Sequence, residues 1–503
     1  MDARDLEIPP GRRLFCNRTL NMRSIRAVGF DMDYTLVHYH TREWEEQAYE
    51  DTRGRLAQSG LAVQGLAFDP SLVRPGLVLD IELGNAVKPN RFGFVKQACH
   101  GTRMLGVDEM RKVYSREIID LSERRWVFLD TWFALSGACL YLQLVDRLDQ
   151  GSLGEQHGYS ELYRRLRESV DATHSEGILK EQIVRDPTRF VDVDEELPLT
   201  LLDLKKAGKQ LMLITNSEWS YTRAMLRHVL DRFLPEGMTF RELFDLVIVG
   251  ARKPAFFEEN APAFRVVDDD TGLLSPHVGA LVPGGAYFGG NARMVERSFG
   301  LRGEEILYVG DHIYADVHVS KNVLRWRTAL ISRELENELS ALEAFKPKQA
   351  VMTQLMAEKE ALEHRFSLAR IALQRQELGY GPQADVPARM LRQTMHDIRT
   401  ELVALDQRIG ELAKQAAELG SRRWGLLMRA GNDKSRLAFQ MERYADMYTS
   451  RVSNFLRYTP FVYLRSPRGS LPHDSGPEGG AATSNNSSWS GIPGPSDAAS
   501  TLE

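Results

Sequence analysis

Asp31 and Asp33, separated by one residue in the string AVGFDMDYTL, follow an apolar run directly. In a tight loop such a pair of carboxylates can divide the work, one attacking as a nucleophile while the other shuttles a proton. Phosphate monoester hydrolysis is among the slowest uncatalysed reactions. It needs a nucleophile, a proton donor for the leaving alkoxide, and strong cationic charge on the phosphoryl oxygens. The pair meets the first two needs. An isolated pair of this kind is also an ordinary turn after a strand, so the residues downstream must decide. Thr215, with Asn216 and Ser217 in LMLITNSEWSYT, places a hydroxyl and backbone donors at the end of another apolar run, suited to phosphate oxygens. Lys253 in GARKPAFF adds a compact positive charge, and Asp311 with Asp316 in VGDHIYAD adds hard oxygen ligands for Mg2+.

The elements that must hold these groups are four apolar runs, 27–30, 211–214, 246–249 and 306–309. Continuous runs of this length read as strands buried on both faces, as in parallel sheets. Open parallel sheets bind ligands at the carboxyl ends of their strands, where all four polar groups fall. The interval between the first two runs is far too long for a crossover, so a cap domain is expected at 45–195, inserted between core segments 1–44 and 196–335. VPGGAYFGGN, between Lys253 and Asp311, reads as a β-excursion or a helix-entry loop.

From residue 336 to 425 the chain turns charged and helical. Leu391, Met395, Ile398, Leu402, Leu405, Ile409, Leu412, Ala416 and Leu419 alternate by four and three, the seam of a coiled coil. A weaker register, through Met352, Leu355, Leu362, Phe366, Ala369 and Leu373 with Lys348 and Lys359 on the seam, precedes the turn ELGYGPQADVP. An antiparallel helical hairpin is expected, serving internal packing or dimerisation. Residues 426–466 are expected to pack on the core, and 467–503, rich in Gly, Ser, Asn and Pro, read as a disordered tail.

Composition narrows the classes. With 43% hydrophobic and 26% charged residues the chain is an ordinary globular one, of two to four domains by length. A net charge of −5 gives no global field for a nucleic acid backbone. Cys16, Cys99 and Cys139 form neither a disulfide framework nor a zinc motif. The N-terminus, MDARDLEIPPGRRLF, mixes charges with prolines and offers no apolar stretch suited to a signal peptide, so a cytoplasmic location is expected. The apolar stretch Val127–Val145 carries Asp130 within it and reads as a buried helix rather than a membrane span.

Taken in this order, the four segments resemble the haloacid dehalogenase superfamily, whose fold is a doubly wound α/β core with a cap. The strings GFDMDYTL, RPGLVLDIELGNAVK, YVGDHIYADV followed by WRTALI, and RYADMYTSRVSNFLRY ending in LPHD narrow the resemblance to the purine-type cytosolic 5′-nucleotidases, over most of 24–474. The resemblance implies that Asp31 forms an aspartyl-phosphate and that Asp33 is general acid, then base. Thr215, Asn216, Ser217 and Lys253 would orient the phosphate. Mg2+ would be held by Asp31, the Asp33 carbonyl and Asp311, with Asp316 supporting its waters. It further implies that Phe133 stacks on a purine base whose edge is read by Arg167, Asp171 and His174, with Lys180 near the sugar or phosphate. The spacing of Arg167, Asp171 and His174 suits one helical face; an exposed i,i+4 ion pair is the plainer reading. The expected activity is hydrolysis of IMP-like or GMP-like monophosphates, with transfer to a nucleoside as a second outcome, by a homo-oligomer (dimer or tetramer). Basic residues of the effector site of some animal members find no match around 120–130 or at Asn322. The rivals are a phosphatase for another small phosphomonoester and a coiled-coil interaction protein with a vestigial core.

Overall fold

The computed structural model describes residues 8–153, 158–175 and 177–467, giving only the backbone of Trp132, His174 and Ser175. The His174 side chain and the tail from 468 on, LPHD included, therefore lie outside the described residues. The chain divides into two compact units, the first covering residues up to 340 and 420–467, the second containing 341–419.

The first unit is organised by a ten-stranded sheet. The four apolar runs form the strands Ala27–Phe30, Gln210–Ile214, Leu246–Val249 and Ile306–Gly310, paired in parallel, with Arg327–Ile331, Met447–Thr449 and Gly285–Gly289 continuing the parallel run outwards. AVGF and LVIV are buried at every position, which is why they lack the alternation of a half-exposed strand. Ala27–Phe30 lies between Gln210–Ile214 and Ile306–Gly310, so the strand order reverses on either side of it. Its carboxyl end is thus a topological switch point, where open sheets of this type place their ligands. The GAYFG stretch resolves as a β-excursion: Gly285–Gly289 joins the core sheet, and Ala263–Val266 and Leu274–His277 extend it antiparallel.

Between the first two core strands the chain builds a second, five-stranded antiparallel sheet from Val78–Asp80, Asn85–Pro89, Val95–His100, Arg103–Met104 and Trp126–Phe128. The helices Thr41–Gln58, Leu135–Asp149 and Tyr159–Ser175 accompany it, with an apolar cluster of their own that includes Tyr49, Tyr141, Leu142 and Leu162. The inserted segment departs and returns through a two-stranded ribbon, His38–Tyr39 against Val191–Asp192. The stretch Val127–Val145 is not one helix. It begins in the strand Trp126–Phe128, turns through Trp132–Ala134 and becomes helical only from Leu135. Asp130, at the break, sits in the connection that lets one apolar run serve both a sheet and a helix. No helix among the described residues is long and apolar enough to cross a membrane.

The returning segment does more than pack on the core. Met447–Thr449 adds to the core sheet, but Trp424 is buried in the cluster of the inserted segment and donates from Nε1 to the Leu72 carbonyl at 2.9 Å. Lys88 of the inserted sheet donates to the Trp424 and Leu426 carbonyls, and Arg423 to that of Thr102.

The second unit contains most of the helix Leu335–Leu378 and all of Ala388–Ala417. Along 388–419 the residues of the four-three pattern are buried or half-buried and their neighbours exposed. Lys348 bonds Gln415, Lys359 bonds Asp406 at 2.7 Å and Glu377 pairs with Arg392, so the two helices run antiparallel. Lys359, a charge on the apolar seam, is answered there by its partner.

Candidate active site

The site is assembled at the carboxyl ends of the central strands. Asp31 is the first residue beyond Ala27–Phe30, and its N–H still donates to the Val309 carbonyl at 2.9 Å, continuing the ladder. Thr215 extends the neighbouring strand in the same way, donating to Ile248 O at 2.9 Å, while its Oγ1 accepts from the Ser217 N–H at 3.1 Å. Lys253 is fixed through its backbone: its N–H donates to Asn216 Oδ1 at 2.6 Å and its carbonyl accepts from Asn216 Nδ2 at 3.2 Å.

From this anchor the Lys253 ammonium reaches Asp31 Oδ1 and Asp316 Oδ1, both at 2.7 Å, and the Tyr308 hydroxyl at 3.2 Å. Tyr308 donates in turn to the Ile214 carbonyl at 2.9 Å. Its ring needs the space above Gly29, its neighbour in the parallel register, where a Cβ would lie 2.9 Å from the ring. Gly310 plays the same part for Asp316, whose carboxylate occupies the place a Cβ would take. Asp311 and Asp316 follow the Ile306–Gly310 strand, with Asp316 inside a π-helical turn, Ile313–His318. His312 caps this turn, its Nδ1 accepting from the N–H groups of Tyr314 and Ala315, both at 3.2 Å.

Three carboxylates, Asp31, Asp311 and Asp316, each bring an oxygen to within 4.8 Å of the others. Burial pushes the Asp31 carboxyl up, and repulsion from Asp316 and Asp33 adds to what Lys253 only partly offsets. Asp311 is raised by burial and then by Asp31 and Asp316. Burial alone would lower Lys253, but Asp31 and Asp316 outweigh it and hold the ammonium well above its usual range. One lysine against three carboxylates, two buried and one half-buried, leaves more acidic groups than cations on hard oxygen donors, which suits a small divalent cation such as Mg2+. Mg2+ added to metal-free protein is accordingly expected to raise the unfolding temperature, stabilising by about 2.7 kcal/mol at a hundredfold excess over Kd. Asp311→Asn should lose most of that shift in a thermal melt; an equal shift in both proteins would refute the assignment.

Asp33 is held by two hydroxyls. Ser217 Oγ donates to Oδ2 at 2.7 Å and Tyr39 donates to Oδ1, while the Tyr39 oxygen lies 2.8 Å from that of Tyr221. Burial, then Asp33, raises the Tyr39 phenol and keeps it a donor. Ser217 is also reached by Lys180 Nζ at 3.2 Å, from the helix Ile178–Arg185 of the inserted segment.

These groups line a cleft of about 350 Å3 together with Trp44, Phe133 and Leu179. Phe133 is half-buried and meets Tyr34 and Trp44 edge-on, with ring centroids at 4.9 and 5.0 Å. The turn carrying it is tied down by Glu45, whose buried carboxyl accepts the Ser136 N–H at 2.7 Å and is pushed up to about 8 by burial. The cleft thus gathers Asp31, Asp33, Thr215, Asn216, Ser217, Lys253, Asp311, Asp316, Phe133 and Lys180. Arg167 and Asp171 instead pair with each other at 3.0 Å, more than half exposed, and are not among its lining residues. Tyr39, Tyr221, Tyr308 and Trp44 were not singled out from the sequence. An aromatic residue in a strand or helix looks like core, and no spacing marks the hydroxyl that reaches a carboxylate.

The chain is similar to known proteins over nearly all its length. A 5′-nucleotidase domain-containing protein of Dictyostelium discoideum is 24% identical over 475 residues, 92% of this chain and 74% of that protein. Among solved structures, an archaeal β-phosphoglucomutase from Pyrococcus sp. aligns at 12% identity and a TM-score of 0.29, covering 61% of this chain and 86% of the other. A haloacid dehalogenase phosphatase from Thermococcus onnurineus aligns at 16% and 0.25, covering 61% and 87%. The 5′ nucleotidase family matches residues 14–476. By that match the chain belongs to the 5′ nucleotidase family, and it is a phosphomonoester hydrolase.

Proposed function

We propose that the chain is a Mg2+-dependent 5′-nucleotidase that hydrolyses purine nucleoside monophosphates of the IMP and GMP kind, with transfer to a second nucleoside competing with water. What carries the reading is the convergence of Asp31, Asp33, Lys253, Asp311 and Asp316 at the switch-point strand, beneath an aromatic-walled cleft. At about 350 Å3 that cleft falls within the range of small-molecule sites, about 300–1,000 Å3.

An Asp31 oxygen attacks phosphorus. The P–O5′ bond breaks and its electron pair passes to O5′, which takes the proton from Asp33. Asp33 then accepts a proton from the entering water, or from an acceptor hydroxyl. The oxygen so freed bonds to phosphorus as the P–Oδ bond opens and returns its electrons to Asp31. Lys253 and Thr215 hold the phosphoryl oxygens, while Asn216 fixes Lys253 and Ser217 fixes Asp33. Asp31, the Asp33 carbonyl and Asp311 would hold the cation, with Asp316, already bonded to Lys253, orienting its waters. Bound there, Mg2+ would offset the repulsion between the phosphate dianion and Asp31. Phe133 offers a stacking surface to the base, and Lys180 a charge to the sugar or phosphate.

One observation favours a second reading within the same chemistry. Arg167 and Asp171, which the purine assignment needs at the base edge, satisfy each other on the surface. A different small phosphomonoester would not require them. A scaffold with a decayed site is disfavoured, because every polar group of the reaction is present. Phosphate release measured across nucleotides and sugar phosphates with Mg2+ tests the proposal. Preference for IMP and GMP is expected; a flat response to nucleotides with brisk turnover of a sugar phosphate would overturn it.

A further inference from the structure

We propose that Tyr39 is a positioning residue for Asp33, tying the ribbon that joins core and inserted segment to the proton-transfer step. The inference rests on the general acid–base role given to Asp33 above. Tyr39 lies on that ribbon, paired with Val191 and followed by His40, whose N–H donates to the Phe190 carbonyl at 2.7 Å. The ribbon is therefore closed by backbone bonds on both sides of Tyr39.

The side chain is fixed as firmly. Its ring, 5% exposed, packs edge-on against Tyr34 at 5.1 Å, and its O–H donates to Asp33 Oδ1. With that proton committed, the bond to Tyr221 at 2.8 Å must be donated by the Tyr221 hydroxyl, from the helix Trp219–Val229 of the core. A line of phenol, phenol and carboxylate runs from a core helix through the ribbon to Asp33. A carboxylate otherwise turns in a broad two-fold well. With Oδ1 held by Tyr39 and Oδ2 by the Ser217 hydroxyl at 2.7 Å, the plane of the carboxylate is fixed, and with it the direction in which Asp33 gives and takes a proton. Ser217 itself is reached by Lys180, so both oxygens of Asp33 are placed by groups that connect to the inserted segment.

The test compares Tyr39→Phe and Tyr221→Phe with wild type in two reactions. The first is steady-state phosphate release from a nucleoside 5′-monophosphate, whose alkoxide must be protonated. The second is the pre-steady-state burst of nitrophenolate from p-nitrophenyl phosphate, whose leaving group departs without a proton. For Tyr39→Phe we expect kcat on the nucleotide to fall about 10- to 100-fold, the scale set by misplacing a reacting group, with KM little changed. The burst rate should stay within about threefold, since that step asks little of a general acid. Its amplitude also counts correctly folded sites. Tyr221→Phe, which leaves the Tyr39–Asp33 bond in place, should fall between the two. An unchanged kcat, or a burst slowed as much as the nucleotide reaction, would overturn the proposal. Should wild type prefer another alkyl phosphate, the proposed substrate fails, and the same comparison on that alkyl phosphate still decides the role of Tyr39.

Discussion

Asp31→Asn is expected to slow phosphate release by on the order of 10^4-fold or more, the loss that follows removal of an attacking group acting in concert with its partners. It should do so without lowering the melting temperature. The two expectations come from one arrangement. Asp31 is buried beside Asp311 and Asp316, with Lys253 as the cation bonded to it, and burial and repulsion both push its carboxyl up. An amide removes one of three crowded charges, keeps an oxygen that can accept from Lys253, and leaves Lys253 its bond to Asp316 at 2.7 Å. Sites that store like charge for function gain stability when it is removed. Phosphate release and a thermal melt, both without Mg2+ and with it, check the pair. Turnover within tenfold of wild type would mean that Asp31 is not the nucleophile. A marked drop in melting temperature would mean that the acidic cluster is a structural device. A quench in acid during turnover should also trap a phosphorylated wild type and no phosphorylated variant, because an amide oxygen does not form the acyl phosphate.

Much of this centre was legible in the sequence, and the reason is physical. A strand buried on both faces must be apolar throughout, so AVGF, LMLI, LVIV and ILYV stand out, and the polar residue that ends each run has to lie at a sheet edge. Parallel pairing then brings the four ends together, which makes Asp31, Thr215, Lys253 and Asp311 neighbours although they are far apart in the chain. The seam of the helix Ala388–Ala417 was legible for a similar reason, since a single period governs every position. What stayed hidden depends on contacts between elements that no period links. Tyr308 reads as one more apolar strand residue, yet its hydroxyl joins Lys253 to the Ile214 carbonyl. Asn216 reads as a phosphate ligand, yet both ends of its amide clasp the Lys253 backbone. The run Val127–Val145 has the composition of a buried helix because a buried strand and a buried helix draw on the same residues; length alone cannot separate them when one follows the other. Trp424 gives no sign that it will leave the core and fill the inserted segment.

Lys253→Met should do the opposite of Asp31→Asn in stability while also abolishing most turnover. The Lys253 side chain is 3% exposed, and Asp316, at 1%, depends on it for the bond to Oδ1. Removing one partner of a buried ion pair strands the other charge, at a cost of about 3–5 kcal/mol, whereas the methionine fills nearly the same volume and so adds little cavity penalty. Activity should fall on the order of 10^2- to 10^3-fold, the loss typical when one donor to developing phosphoryl or acyl charge is deleted. The decisive step is the double variant Lys253→Met with Asp316→Asn, which removes one of the two carboxylates that Lys253 answers and leaves Asp31. Its stability should return part of the way to wild type in a denaturant melt, because the loss at two sites that share one bond is non-additive. Its turnover should remain as low as that of the single variant, because the cation that faces the phosphate is still missing. Additive losses of stability would show that Lys253 and Asp316 act independently and that the lysine is not held for catalysis by the aspartate. Recovery of turnover along with stability would show that the charge on Lys253 matters only for folding, and would take it out of the reaction.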